Sequence, residues 1–277
     1  MKLSVIIPNY NGKTLLEEML PVLKKAIKEI KDAEIIIYDN NSSDESRVFI
    51  ETEYPEVRLI CSNENGGFTK AVNCAALSAK NEYLLILNND CLLNEHTLPR
   101  MRDFLSKHPK YDMTQPVVLT RKGAVENIGF IVDIKRGKAE PVTDRDDPRI
   151  SEENISFSGK SEVLYGLSAT CLLVKREKFI NIGMFDETFH SYLEDVDLAF
   201  RMAKADRKYI PTLNAECTHA HMSTSAAMGS YKQQRDFMNW IRIILKNYST
   251  EMILKNFWSL ALERMRNLNG LLKKLVK

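Results

Sequence analysis

The chain has 277 residues, 44% of them hydrophobic and 27% charged, with a formal net charge of +2. That suffices for one large α/β domain with an appendage and an ordinary globular core, and no apolar run reaches the roughly 20 residues that a membrane-spanning helix needs. The charge is uneven: from Ala226 onward ten Lys or Arg face three acids, a net of +7, which leaves 29 basic and 34 acidic residues in 1–225, a net of −5.

The N-terminal apolar run is too short for a signal peptide and is stopped by Pro8. A cytoplasmic protein is therefore expected. Its five cysteines (Cys61, Cys74, Cys91, Cys171, Cys217) are odd in number and lack any C-x-x-C pair, which points to reduced, mostly buried thiols. Runs rich in β-branched residues at Leu3–Ile7, Glu34–Tyr38, Val57–Cys61 and Tyr83–Leu87 read as strands. Amphipathic patterns at about Thr14–Lys31, Asp44–Glu53 and Thr69–Lys80 read as the helices between them. Pro21 either starts a second helical turn or kinks the first helix. This alternation predicts a parallel sheet covered by helices. Each strand ends in a polar cluster: Asn9–Gly12, Asp39–Ser43, Asn63–Gly67 and Asn88–Asp90. Ligands of open α/β sheets bind beyond the carboxyl ends of the strands, so the four clusters are expected to share one crevice.

Beyond Pro109 the pattern turns mixed, with strands expected at Met113–Thr120 and Ile128–Ile134 and a charged surface loop at Asp144–Asn154. A strand at Ala169–Lys175 leads into Arg176–Ile182, a helix follows at Glu194–Ala205, and a strand-like run at Ala215–Ala220. From Met252 onward, apolar residues recur at three-and-four spacing as one stripe, with basic residues largely off it. This predicts a basic amphipathic helix with Trp258 on its apolar side and Gly270 as its weakest point.

The densest carboxylate group is Glu194-Asp195-Val196-Asp197 at the head of a predicted helix. The helix dipole stabilises acids there, but three acids in four residues exceed what capping needs. One of them can instead face a pocket and take a proton from a substrate hydroxyl. Asp90, behind Asn88 and Asn89 at a strand end, suits a hard cation, although Asn and Asp also make ordinary turns. His219 and His221 offer a nitrogen ligand, against the plainer role of hydrogen-bonded surface histidines. The loop Asn63-Glu64-Asn65-Gly66-Gly67-Phe68 lacks both G-x-G-x-x-G and a P-loop lysine, which argues against a dinucleotide dehydrogenase and a P-loop NTPase.

Six ordered segments, Val5-Ile6-Ile7-Pro8-Asn9-Tyr10-Asn11-Gly12, Asp39-Asn40-Asn41-Ser42-Ser43-Asp44, Asn65-Gly66-Gly67-Phe68, Leu87-Asn88-Asn89-Asp90, Gly183-Met184-Phe185-Asp186-Glu187 and Tyr192-Leu193-Glu194-Asp195-Val196-Asp197-Leu198, resemble family 2 glycosyltransferases. The flavour is that of the bacterial rhamnosyltransferase-like branch. The resemblance spans residue 3 to about 225. It implies an α/β GT-A fold, a Rossmann-like nucleotide-binding sheet flanked by helices (about 1–110) joined to a mixed acceptor-binding half (about 111–225); the basic amphipathic helical extension at 226–277 carries no comparable signature and rests on its periodicity and charge. The resemblance further implies that Pro8, Asn9, Tyr10, Asp39 and Ser42 border the nucleoside of a donor, that Asn65 and Gly67 line it near the diphosphate, and that Asn88 and Asn89 complete the donor site. Asp90 matches the last acid of the family's D-x-D metal motif, whose first acid is Asn88 here. His219, with His221 as the alternative, matches the distal metal-site histidine, the cofactor being Mg²⁺ or Mn²⁺. Asp195 matches the general base, with Glu194 beside it.

The implied activity is inverting transfer of a sugar from a nucleoside-diphosphate donor, UDP- or dTDP-linked, to a hydroxyl of a saccharide or lipid-linked saccharide in cell-surface polysaccharide or glycolipid synthesis. The competing readings are a catalytically silent nucleotide-sugar-binding protein and a sugar nucleotidylyltransferase. The latter is expected to carry a Gly-rich basic loop after the first strand, where this chain has Pro8-Asn9-Tyr10-Asn11-Gly12. The basic tail carries no recognised nucleic-acid motif. It fits either an anionic surface at the inner face of a membrane or packing against protein, including a homodimer.

Overall fold

Along β1 (Leu3–Asn9), β2 (Glu34–Asp39) and β4 (Tyr83–Leu87), alternate apolar side chains enter two different cores. Leu3, Val5 and Ile7 join one with Ile35, Ile37, Leu85 and Leu87, while Ile6 joins the other with Ile36, Leu84 and Ile86. A strand buried on both faces must be apolar throughout, which is why these segments read as continuous runs. The computed structural model describes residues 2–158, 160–220 and 230–275. His221 lies outside the described residues.

The helices of the first half are α1 (Lys13–Ile27), α2 (Ser46–Glu53) and α3 (Gly67–Ser78), with β3 (Arg58–Cys61) between the last two. Helix α1 runs through Pro21, which faces solvent, so the carbonyl that loses its partner there can be hydrated. The chain continues through β5 (Cys91–Leu93) and α4 (Thr97–Lys107) to β6 (Tyr111–Thr114) and β7 (Pro116–Thr120). The single strand expected at Met113–Thr120 is thus two strands in two sheets. Pro116 cannot donate to a ladder and restricts the residue before it. Gln115 is fully buried at the switch, where its side chain donates to Asn127 Oδ1 and accepts from Ser168 N.

The remaining elements are β8 (Val125–Asn127), β9 (Phe130–Asp133), β10 (Lys138–Pro141), β11 (Val163–Gly166), β12 (Cys171–Lys175), α5 (Arg176–Asn181), α6 (Glu194–Lys204), β13 (Lys208–Tyr209), β14 (Thr212–His219), α7 (Tyr231–Asn247) and α8 (Thr250–Leu275). The main sheet has the order β13-β6-β12-β4-β1-β2-β3. Its β4-β1-β2-β3 portion is parallel as expected, and β12 inserts antiparallel between β4 and β6. Two smaller sheets, β10-β9-β11 and β5-β14-β7-β8, flank it. No regular element falls in 144–154, in keeping with the expected loop. Cys91, Cys171 and Cys217 are free, buried thiols within 4.8 Å of one another, Cys74 is half-buried and Cys61 is exposed.

The C-terminal region is two helices. Trp240, Ile243, Ile244, Tyr248, Met252 and Leu260 pack into the same core cluster as α6. Of the apolar residues expected to form one stripe, Leu271 is buried and Ile253 and Ala261 are half-buried, whereas Leu254, Phe257, Trp258, Leu262, Met265, Leu268 and Leu272 are exposed; Met252 and Leu260, which lie off that stripe, are buried. Periodicity at three-and-four spacing counts both sets because a helix apolar on most of its circumference satisfies the pattern whichever way it packs.

Candidate functional site

The carboxyl ends of β1, β2 and β4 open on a cavity of about 590 Å³, a size common for small-ligand sites. Pro8, Asn9, Tyr10, Asn65, Gly67, Asn88, Asn89 and Asp90 all line it. Asn9 is its hub: Nδ2 donates to Asp39 Oδ2 at 3.1 Å, and Oδ1 accepts from Asn89 Nδ2 at 2.9 Å. Asp39 itself is fully buried behind this lining. It accepts from Ser42 N (2.9 Å), Ser42 Oγ (2.5 Å) and Arg47 Nε (2.6 Å). Burial alone would raise its pKa, but these donors together outweigh it and hold the carboxyl below its ordinary value. Asp39 and Ser42 therefore adjoin the cavity and position Asn9, rather than forming its wall. Gly67 has φ +80°, and a Cβ there would lie 2.4 Å from the His190 carbonyl oxygen. Only glycine lets α3 begin so close to the opposite wall.

Strand β14 ends beside Asp90. Ala220 N donates to the Asp90 carbonyl at 2.7 Å, and His219 Nε2 approaches Asp90 Oδ1 to 3.1 Å. On the other side of the ring, His219 Nδ1 lies 2.9 Å from Glu126 Oε1. Burial of His219 favours the neutral ring, but the two carboxylates prevail and lift its pKa to about 10. The donor set suits a hard divalent cation: a carboxylate and an imidazole meet at the cavity edge, and a second carboxylate takes the far ring nitrogen, orienting the other toward the cation.

A second cavity of about 540 Å³ adjoins the first, sharing Phe68, Asn88, Ser191 and Tyr192 in its walls. Glu194, Asp195, His219, Glu126 and Asp236 face it. Glu194 is 7% exposed, and its Oε2 has no hydrogen-bond partner among the described residues. Asp195 keeps partial exposure to the cavity and accepts from Val196 N at 2.8 Å and Ala169 N at 3.4 Å. Burial lifts both carboxyls, and the Asp195 charge lifts Glu194 further. Backbone donors hold Asp195 lower, to about 6 against about 8 for Glu194. Burial thus raises both, Glu194 more than Asp195, which leaves Asp195 the more acidic of the pair and the better suited to act as a base. The third acid, Asp197, is fully buried and serves structure: Arg201 Nε (2.8 Å), Lys246 Nζ (2.9 Å) and Asn247 Nδ2 (3.1 Å) surround it.

The segment before Glu194 is held in an uncommon conformation, with φ +61° at His190, +69° at Tyr192 and +66° at Leu193. Asn239 of α7, buried at 0% exposure, donates to the carbonyls of Phe189, Ser191 and Tyr192 at 3.1, 3.0 and 2.7 Å. Tyr231 OH meets His190 Nδ1 at 3.0 Å. Helix α7 thereby supplies Tyr231 and Arg235 to the first cavity and Lys232 and Asp236 to the second. Sequence reasoning missed these four, together with Glu126, His190, Ser191 and Tyr192. Only the Tyr192 segment carried a signal, as part of the acidic motif.

The family model described as Glycosyl transferase family 2 matches residues 4–182. An uncharacterized glycosyltransferase of Rickettsia prowazekii is 27% identical over 255 residues, covering 91% of this chain and 74% of that protein. N-acetylglucosaminyl-diphospho-decaprenol L-rhamnosyltransferase of Mycobacterium tuberculosis is 27% identical over 235 residues, covering 78% and 75%. Among solved structures, a mannosyltransferase from Pyrobaculum calidifontis in complex with GDP-Man and Mn²⁺ superposes with a TM-score of 0.64 at 18% identity, covering 97% of this chain and 74% of that one. TarS of S. aureus in complex with UDP-GlcNAc gives 0.59 at 20%, covering 88% and 67%. The fold is the expected GT-A fold.

Proposed function

The chain belongs to glycosyl transferase family 2, and on that premise we propose that it transfers a sugar, with inversion, from a UDP- or dTDP-linked donor to a hydroxyl of a saccharide or lipid-linked saccharide. The observation that carries this reading is the pair of adjoining cavities with Asp195 lining one and Asn9, Asn65, Gly67 and Asn89 lining the other. The donor's nucleotide occupies the first cavity and the acceptor the second. Asp195 takes the acceptor's proton as the hydroxyl attacks the anomeric carbon opposite the leaving group, so configuration inverts without a covalent intermediate. Glu194, still protonated, keeps a second negative charge away from the base. Mg²⁺ or Mn²⁺ held by Asp90 and His219 would offset charge on the departing diphosphate.

Names of relatives support a cell-surface substrate: the mycobacterial relative is named for rhamnosyl transfer to a diphospho-decaprenol-linked sugar. The reaction takes place at the cytoplasmic side, where nucleotide sugars are made. The test is nuclear magnetic resonance of the product anomeric proton, after a panel of UDP-, dTDP- and GDP-sugars has identified the donor. Inversion relative to the donor is expected, and retention would refute the single-displacement role of Asp195.

A further inference from the structure

Helix α8 has two unlike sides. Its inner side is docked: Glu263 pairs with Arg136 at 2.9 Å, Arg264 Nη2 donates to the Gly137 carbonyl at 2.6 Å, and the Arg264 guanidinium lies 5.1 Å from the centre of the Trp240 ring. Met252, Leu260 and Leu271 are buried on this side. The outer side leaves Leu254, Trp258, Leu262, Met265, Leu268 and Leu272 exposed, Trp258 at 77%. At 3.6 residues per turn these six, with Phe257, fall within an arc about 140° wide, and at 1.5 Å per residue the strip is about 27 Å long. A contiguous exposed apolar strip of this size calls for a covering partner.

The charges choose between the candidates. The exposed Lys255 and Arg266 both fall on one edge of the strip, and the buried Glu263 is shared between Arg136 at 2.9 Å and Arg266 at 3.3 Å, so one acid faces two guanidinium groups and the edge stays net positive. A second copy laid along this strip would bring a like-charged edge and a second +7 tail, with Glu251 in the first turn the one exposed acid among the described residues of the helix to set against them. The strip is also wider than a coiled-coil seam. An anionic bilayer surface satisfies both features, since headgroups attract the basic edge while the apolar arc sinks into the acyl boundary.

We propose that the outer face of α8 is a membrane-docking surface that lies in the interface of an anionic bilayer. The inner face of the same helix grips the turn at Arg136–Gly137, and the adjoining strand β10 lends Ala139, Glu140 and Pro141 to the second cavity. A bilayer-bound helix therefore stands one hairpin away from the cavity assigned above to the acceptor. Docking itself does not depend on the proposed reaction and is tested without turnover.

The test is flotation of the full chain with vesicles of phosphatidylglycerol and phosphatidylethanolamine, or of phosphatidylcholine alone, at low and high salt. Tryptophan emission is read in parallel: Trp240 is buried and Trp258 exposed, so a blue shift on binding reports Trp258. The chain is expected to float with the anionic vesicles at low salt with a blue shift. Two variants, Trp258→Glu with Met265→Glu and Lys255→Glu with Arg266→Glu, should each lose partitioning by on the order of tenfold or more while unfolding at the parent's temperature. No flotation, equal flotation with neutral vesicles, or flotation indifferent to both variants would overturn the proposal. So would a sedimenting dimer that Trp258→Glu with Met265→Glu dissociates, which assigns the strip to a second copy.

Discussion

His219 Nε2 and Asp90 Oδ1 stand 3.1 Å apart across 129 positions of sequence. The contact joins the end of β14 to the end of β4 at the rim shared by the two cavities, with Glu126 behind the imidazole at 2.9 Å. On the assignment proposed above, removing either Asp90 or His219 should release the cation. Asp90→Ala and His219→Ala are each expected to abolish Mn²⁺ binding in calorimetry and to lower transfer by on the order of 10²-fold or more. Glu126→Gln, which weakens orientation of the ring, should cost about 10- to 100-fold in metal affinity. Full transfer in excess chelator would contradict this assignment.

The pH profile follows from Asp195. Its carboxyl is lifted by burial to about 6, and only its ionised form accepts a proton, so kcat should rise with pH through about 6. Stability moves the other way. Asp195 and Glu194 both have folded-state values above the ordinary carboxyl range, so the folded chain holds more protons than the unfolded chain, and the stability they contribute is lost as pH rises through about 6 and about 8. Glu194→Gln has no charge to form there. Its melting temperature relative to the parent should increase between about 4.5 and about 8, and a constant difference across that range would count against the shift.

Asn239 acts through the loop that carries the acids. Asn239→Ala leaves three carbonyls of a loop with positive φ without their donor, at a cost of about 1–3 kcal/mol for buried groups. Transfer should fall by lowered kcat, and donor binding should weaken with it because Ser191 and Tyr192 also line the first cavity. An unchanged kcat beside a lowered melting temperature would reduce Asn239 to a purely structural role.

Gly67→Ala places a methyl group 2.4 Å from the His190 carbonyl at a φ of +80°. Strain of about 1–3 kcal/mol and displacement of the loop at His190 are expected to weaken donor binding at least tenfold in thermal-shift titration. Gly123→Ala is the control. That glycine also has positive φ, at +79°, but has open space around it, so its substitution should cost stability alone.

The strands and helices up to β4 were legible because their pattern is local. Strands buried on both faces must be apolar runs, and the polar cluster at each strand's end falls at the one place where an open sheet binds ligands. The rest of the chain was less so. Helix α4, with Leu98, Met101 and Leu105 at helical spacing, escaped notice because Pro99 and no side-chain cap mark its start. The break at Gln115–Pro116 carried a local signal, since a proline inside a strand pattern marks an edge or a boundary, but only tertiary packing sets which sheet each piece joins. Glu126, Tyr231, Arg235 and Asp236 reach the cavities only through tertiary packing, and nothing in their neighbours' spacing announces it. The tail shows the same limit, since periodicity gives a helix and its apolar residues but not which of them the protein covers.

The central claim, that Asp195 is the base of a nucleotide-sugar-dependent transfer, is tested most directly by single-turnover transfer from the identified donor by Asp195→Asn. The account predicts donor binding close to the parent's and a chemical step slower by on the order of 10²-fold or more. A variant that transfers at the parent's rate, or a Glu194→Gln chain that binds donor and is the inactive one, would contradict it.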